Sequence, residues 1–191
     1  MISFHDTKKE NKKMKKVFIV SSSPRKGGNS DFLADRFIEG AKSAGNEVLK
    51  VRTDETGLKF CTGCMYCQTS GKCVLNDGMN EIYSAVRDSD VLVFATPVYY
   101  YSVSGQLKTF LDRLNPLFSQ DNRFKDVYLI ATAADTDKRA VDGAVKAVEG
   151  WVECFDGVRL KKVLRGTGLE AKGDAKNSAY GDEAFEMGKN I

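Results

Sequence analysis

Short apolar runs alternate with amphipathic ones along most of the chain. Val17-Phe18-Ile19-Val20 is uninterrupted and predicts a strand over Val17–Ser22. Phe32, Leu33, Phe37, Ile38 and Ala41 then recur at helical spacing, with Ser30 as a candidate cap and Gly45 as a stop. Glu47–Arg52 alternates as a second strand. Met79, Ile82, Tyr83 and Val86 mark one face of a helix that Asn76 or Asp77 can cap. Asp90–Ala95 and Val127–Ala131 are continuous apolar runs, of the kind a parallel sheet buries on both faces. Between them, Leu107, Phe110, Leu111 and Leu114 predict a helix over Ser104–Leu114. Lys138–Cys154 reads as a helix weakened by Gly143 and Gly150, with Cys154 a core thiol on it. Val158–Leu164 reads as a fifth strand and residues 173–188 as a closing helix. Five rounds of alternation predict an α/β fold, a doubly wound five-stranded parallel sheet with helices on both faces.

Two stretches break the pattern. Lys8, Lys9, Lys12, Lys13, Lys15 and Lys16 crowd the start of the chain, so residues 1–16 read as a disordered or loosely attached extension. Residues 17–191 read as a single domain. Thr53–Lys72 has no clean period and carries Gly57, Gly63 and Gly71, so it reads as an excursion rather than a regular element. Composition adds exclusions. With 191 residues, 42% hydrophobic and 29% charged, the chain can bury a full core. A net charge of +3 gives no footprint for nucleic acid. No run approaches the ~18–20 apolar residues of a membrane span. The polar N-terminus lacks a secretory h-region, which predicts a cytoplasmic protein. The single histidine, His5, lies in the extension, so a histidine base or metal ligand is not expected.

The chemistry concentrates in loops that leave strand ends: Ser21–Ser30, Thr96–Ser104 and Thr132–Asp137. In a doubly wound sheet such loops converge at the switch point in strand order. The first reads Ser-Ser-Ser-Pro-Arg-Lys-Gly-Gly-Asn-Ser and sits between a strand and a helix start. It has neither the Walker nor the dinucleotide glycine spacing. Its hydroxyls, its cations and the unpaired N–H groups of a helix start suit a phosphate monoester. The second loop carries Tyr99, Tyr100 and Tyr101, which can stack on or edge a planar ring, or pack against the body or a second subunit. Lys108 and Arg113 read as solvated or ion-paired helix residues.

Ser23-Pro24-Arg25 with Asn29-Ser30, followed by Thr96-Pro97-Val98-Tyr99 and Ser104-Gly105-Gln106-Leu107-Lys108, resembles the NAD(P)H-dependent FMN reductase family over roughly residues 17–165. The resemblance implies a flavodoxin-like fold, bound FMN and NAD(P)H as substrate. It implies a phosphate site of Ser23, Arg25, Asn29 and Ser30, assisted by Ser22 or Lys26. It places Pro97, Val98, Tyr99 and Tyr100 along the isoalloxazine, with Thr132, Ala133 and Ala134 from the third loop. Family members assemble as homodimers or homotetramers, so a homo-oligomer is expected.

Four of the five cysteines, Cys61, Cys64, Cys67 and Cys73, share the excursion in a C-x2-C-x2-C-x5-C run. This is close to the compact runs that hold a [4Fe–4S] cluster, although no proline follows Cys73. Structural zinc, a Cys-x-x-Cys redox pair and free thiols stand beside it. The iron–sulfur flavoproteins, a branch of the same family, carry a similar run. The functional reading is an FMN-dependent NAD(P)H oxidoreductase acting on an unidentified acceptor, with no catalytic side chain assigned. The alternative is an iron–sulfur flavoprotein that relays electrons between protein partners. A thiol-based regulator without flavin is a weaker third.

Overall fold

The computed structural model describes residues 13–191; residues 1–12, with His5 and most of the foreseen extension, lie outside the described residues. The elements follow in the order β1 Lys16–Ser21, α1 Asn29–Ser43, β2 Glu47–Arg52, α2 Tyr66–Ser70, α3 Met79–Arg87 and β3 Val91–Tyr99. They continue with β4 Ser102–Val103, α4 Gly105–Arg113, β5 Asp126–Thr132, α5 Asp142–Val152, β6 Arg159–Gly166 and α6 Tyr180–Lys189. The parallel strands lie in the order β2-β1-β3-β5-β6. The order reverses between β1 and β3, which is where a doubly wound sheet binds ligands.

Period-two alternation sends successive side chains of each strand to opposite faces. Phe18, Val20, Leu92, Phe94, Val127 and Leu129 meet Val86 of α3, Leu107 and Phe110 of α4, and Val148 of α5. Val17, Ile19, Val91, Val93 and Ile130 meet Leu33 and Phe37 of α1 and Met187 of α6. Both faces are therefore covered, as the continuous apolar runs require. Among the described residues no helix is long and apolar enough to cross a membrane.

The structure differs from the sequence pattern in four places. The loop foreseen over Thr96–Ser104 is a hairpin: β3 runs on to Tyr99, and β4 returns antiparallel with Val98 opposite Val103. Its two turn residues, Tyr100 and Tyr101, both have positive φ, at 48° and 60°. Such a turn normally selects Asn or Gly. The excursion contains the short helix α2. Ser30 does not cap α1: Gly28 occupies the N-cap, without a side-chain bond, and Ser30 lies inside the helix. Cys154 is exposed rather than in the core, because α5 ends at Val152.

Helices α1 and α6 pack backbone to backbone. A Cβ added at Gly40 would lie 1.9 Å from the Phe185 carbonyl oxygen, and one at Gly188 would lie 2.1 Å from that of Phe37. Gly188→Ala must therefore force the helices apart, at a cost of about 3 kcal/mol. Gly150→Ala on α5 meets nothing within 4 Å. Relief of glycine's entropy should make that change stabilising by about 0.5–1 kcal/mol. Urea midpoints at constant m-value should move in these opposite directions.

Candidate functional site

The first loop is shaped from beneath by Asp31 in the opening turn of α1. Its Oδ2 accepts from the Gly27 N–H at 2.8 Å and its Oδ1 from the Ser21 hydroxyl at 2.7 Å. Lys50 Nζ and Arg52 Nη1, both from β2, lie 2.8 and 2.6 Å from the same carboxylate. Arg52 Nη2 also donates to the Ser23 carbonyl at 3.0 Å. Burial by itself would raise the Asp31 pKa, but the bonds from Lys50, Ser21 and Gly27 outweigh it and hold the value at about 2.

Above this support lies an open cavity of about 250 Å³ at the carboxyl edge of the sheet. Ser23, Arg25, Asn29, Ser30, Pro97, Val98, Tyr99, Thr132 and Ala134, all foreseen, line it, and all three strand-end loops contribute. Ser30 is 1% exposed, and its Oγ is buried without a hydrogen-bond partner. A buried hydroxyl without a partner costs free energy unless something fills its coordination. A Cβ added at Gly28 would lie 3.0 Å from the Arg25 carbonyl oxygen and from Ser23 Oγ, so glycine keeps the cradle uncrowded. A helix start, an orphan hydroxyl and the Arg25 guanidinium fit a phosphate, and the walls at Pro97, Val98 and Tyr99 fit the ring of a flavin nucleotide.

Four foreseen residues do not line the cavity. Ser22 is buried in a hydroxyl network: its Oγ donates to the Ala95 carbonyl at 2.9 Å and lies 3.0 Å from Ser104 Oγ. Ser104 in turn caps α4, accepting from the Leu107 N–H. Ser22 therefore ties β1 to β3 and α4. Ala133 is buried, its N–H and carbonyl spent on Gly166 and Leu169. Tyr100 is fully exposed at the hairpin tip, and Lys26 is exposed on the loop. Asn29 lines the cavity, but its side chain is engaged elsewhere. Nδ2 donates to the Leu169 and Ala171 carbonyls, and Oδ1 accepts from the Gly173 and Ala175 N–H groups. Sequence reasoning missed Gly28, Leu169, Glu170 and Lys172, which complete the lining. The Gly27-Gly28 pair was a visible signal for the first. Nothing local marks the last three.

The cysteine run packs at the other end of α4. Asn115 Nδ2 donates to Cys67 Sγ at 3.1 Å and Arg113 Nη2 to Cys73 Sγ at 3.6 Å. Arg113 is 1% exposed and paired with Asp77, Nη2 to Oδ1 at 3.0 Å, so its ion-paired reading holds in a buried rather than solvated form. Cys61 and Cys64 are exposed, and the Tyr66 N–H and Thr62 hydroxyl pull the Cys64 thiol below its ordinary value. Among the described residues no three Cys, His, Asp or Glu side chains are gathered so that they could hold a metal. Cys61, Cys64, Cys67 and Cys73 are thus not drawn together around one point in this structure.

The family described as NADPH-dependent FMN reductase matches residues 15–161. An iron–sulfur flavoprotein of Archaeoglobus fulgidus is 42% identical over 103 residues, which cover 54% of this chain and 46% of that protein. An iron–sulfur flavoprotein of Methanosarcina thermophila is 36% identical over 98 residues, covering 51% of each. The chain thus spans about half the length of these curated relatives. The fold is similar to that of an NAD(P)H:quinone oxidoreductase from Methanothermobacter marburgensis, with a TM-score of 0.73 at 17% identity over 93% of this chain and 96% of the other.

The depressed Asp31 pKa fixes a pH window. Its stabilisation is complete above the unfolded-state value near 4 and is lost as the pH falls toward 2. Asp31→Asn should cost about 2 kcal/mol at neutral pH and flatten stability between about pH 4 and 2. Chemical denaturation across that range checks both.

Proposed function

The chain belongs to the NADPH-dependent FMN reductase family, and from that premise we propose that it is an FMN-dependent NAD(P)H oxidoreductase. The observation that carries this is the buried, unpartnered Ser30 Oγ at the start of α1, beside Arg25 and under a cavity with room for a planar ring. The chemistry a bound FMN supplies is acceptance of a hydride from NAD(P)H and delivery of two electrons to an acceptor. The chain's own residues bind and orient. Ser23, Ser30 and Arg25 take the phosphate, with the first N–H groups of α1. Pro97, Val98 and Tyr99 form one wall for the ring, and Thr132 and Ala134 the facing edge. No conventional acid or base is required for that chemistry.

A second reading, an iron–sulfur flavoprotein carrying electrons between protein partners, is favoured by the name of the curated relatives and by the four cysteines of residues 61–73. Iron at about four atoms per chain in protein purified without oxygen would support it. Stoichiometric zinc or no bound metal would oppose it.

Oxidation of NADPH or NADH by the FMN-loaded chain without oxygen, coupled to a quinone or dye acceptor, tests the first reading. Turnover supports it, and none with either nicotinamide contradicts it. Arg25→Ala and Ser30→Ala should each weaken FMN binding about tenfold, through loss of a charge-assisted contact and of a hydroxyl donor. Titration of flavin fluorescence measures this.

A further inference from the structure

The cavity has a fourth wall that lies outside the first three loops and outside the matched 15–161 stretch. Residues 168–175 run from the end of β6 back across α1. Gly168 N–H donates to the Asp135 carbonyl at 2.8 Å and Leu169 N–H to that of Ala133 at 2.9 Å, which docks the segment on the third loop. Asn29 then grips it with all of its side-chain capacity, two donations and two acceptances spread over Leu169 to Ala175. Asp174 closes the turn by accepting from the Ala171 N–H at 2.7 Å. Four hydrogen bonds from one amide to a segment about 140 residues away fix a path, not merely a contact.

That path carries a cation to the phosphate end of the cavity. Lys172 lines the cavity together with Arg25, Gly28 and Ser30. Its side chain lies along the loop glycine: a Cβ added at Gly27 would sit 3.7 Å from Lys172 Cε and 3.9 Å from Nζ. Asp31, directly below, is already saturated by Lys50, Arg52, Ser21 and Gly27. The Lys172 ammonium therefore has no claim from that carboxylate. Glu170 shares the lining. Arg25 alone leaves a doubly charged phosphate half neutralised.

We infer that residues 168–175 form a strap, clamped by Asn29, that delivers the Lys172 ammonium as the second cation for the flavin phosphate. This rests on the proposed FMN site and deepens it. It also reassigns Asn29, whose side chain acts on the strap rather than on the phosphate. Lys172 is then a binding residue and Asn29 a positioning residue.

The test is fluorescence titration of FMN and of riboflavin, which lacks the phosphate, into the full chain and its variants. Lys172 is exposed, so Lys172→Gln leaves the fold intact. That variant should bind FMN about five- to tenfold more weakly, with a shallower salt dependence, and riboflavin as the unaltered chain does. Asn29→Ala should reproduce the selective loss, and Lys172→Gln in that background should add less than about twofold, because the two act in series. Lys172→Gln with unaltered FMN affinity, an equal loss for riboflavin, or full additivity of the two changes overturns the strap while leaving the FMN site standing. An unaltered chain that binds no FMN overturns the proposed function itself.

Discussion

The Asp31 carboxylate is bound from three directions. Ser21 reaches it from the end of β1, Gly27 from within the first loop, and Lys50 and Arg52 from the neighbouring strand β2. Each bond constrains a different piece of the cradle. The Gly27 contact turns the loop so that Gly27 adopts a φ of 66°, a conformation open to glycine at little cost. The Arg52 side chain links Asp31 to the Ser23 carbonyl and so sets the near wall. Two cations beneath the loop are neutralised before they reach the cavity, so the charge presented above is that of the loop, the helix start and the strap. Breaking one partner of such a buried group leaves the rest uncompensated, which is why the fold and the site stand on the same carboxylate.

Helix α4 carries a different chemistry at each end. Its N-terminal end, capped by Ser104, belongs to the hydroxyl network of Ser22 and Thr96 beneath the cavity. Its C-terminal end, at Arg113 and Asn115, holds Cys73 and Cys67. A nine-residue helix rises about 13 Å between these two ends. The hairpin adds the third boundary. Gly143 at the start of α5 lets the Tyr101 carbonyl approach to where a Cβ would stand 2.0 Å away, and this packing supports the left-handed backbone of Tyr100 and Tyr101, next in the chain to the cavity-lining Tyr99.

Most of the fold was legible because periodicity reports burial. The continuous runs at β1, β3 and β5 and the helical spacing in α1, α3 and α4 each survive to within a few residues. The hairpin was not legible, because Tyr100-Tyr101 contradicts the Asn-Gly signature that such a turn normally carries. Packing of Gly143 against it overrides local preference. That the first loop lines a cavity was legible from hydroxyl density at a strand–helix junction, but the division of labour within it was not. Ser22 and Ser23 are adjacent and chemically identical, yet past the end of β1 one is tied into the hydroxyl network with Ala95 and Ser104 and the other lines the cavity. Asn29 looked like a phosphate ligand, and its partners lie some 140 residues away. Lys172 has no local signal at all, since only tertiary structure brings it to Gly27.

A crystal structure of the chain with FMN would locate the phosphate. A phosphate oxygen is expected about 3 Å from Ser30 Oγ, within reach of the first N–H groups of α1 and of Arg25, with the ring against Pro97, Val98 and Tyr99. A phosphate bound elsewhere, with Ser30 Oγ still unpartnered, would contradict this placement.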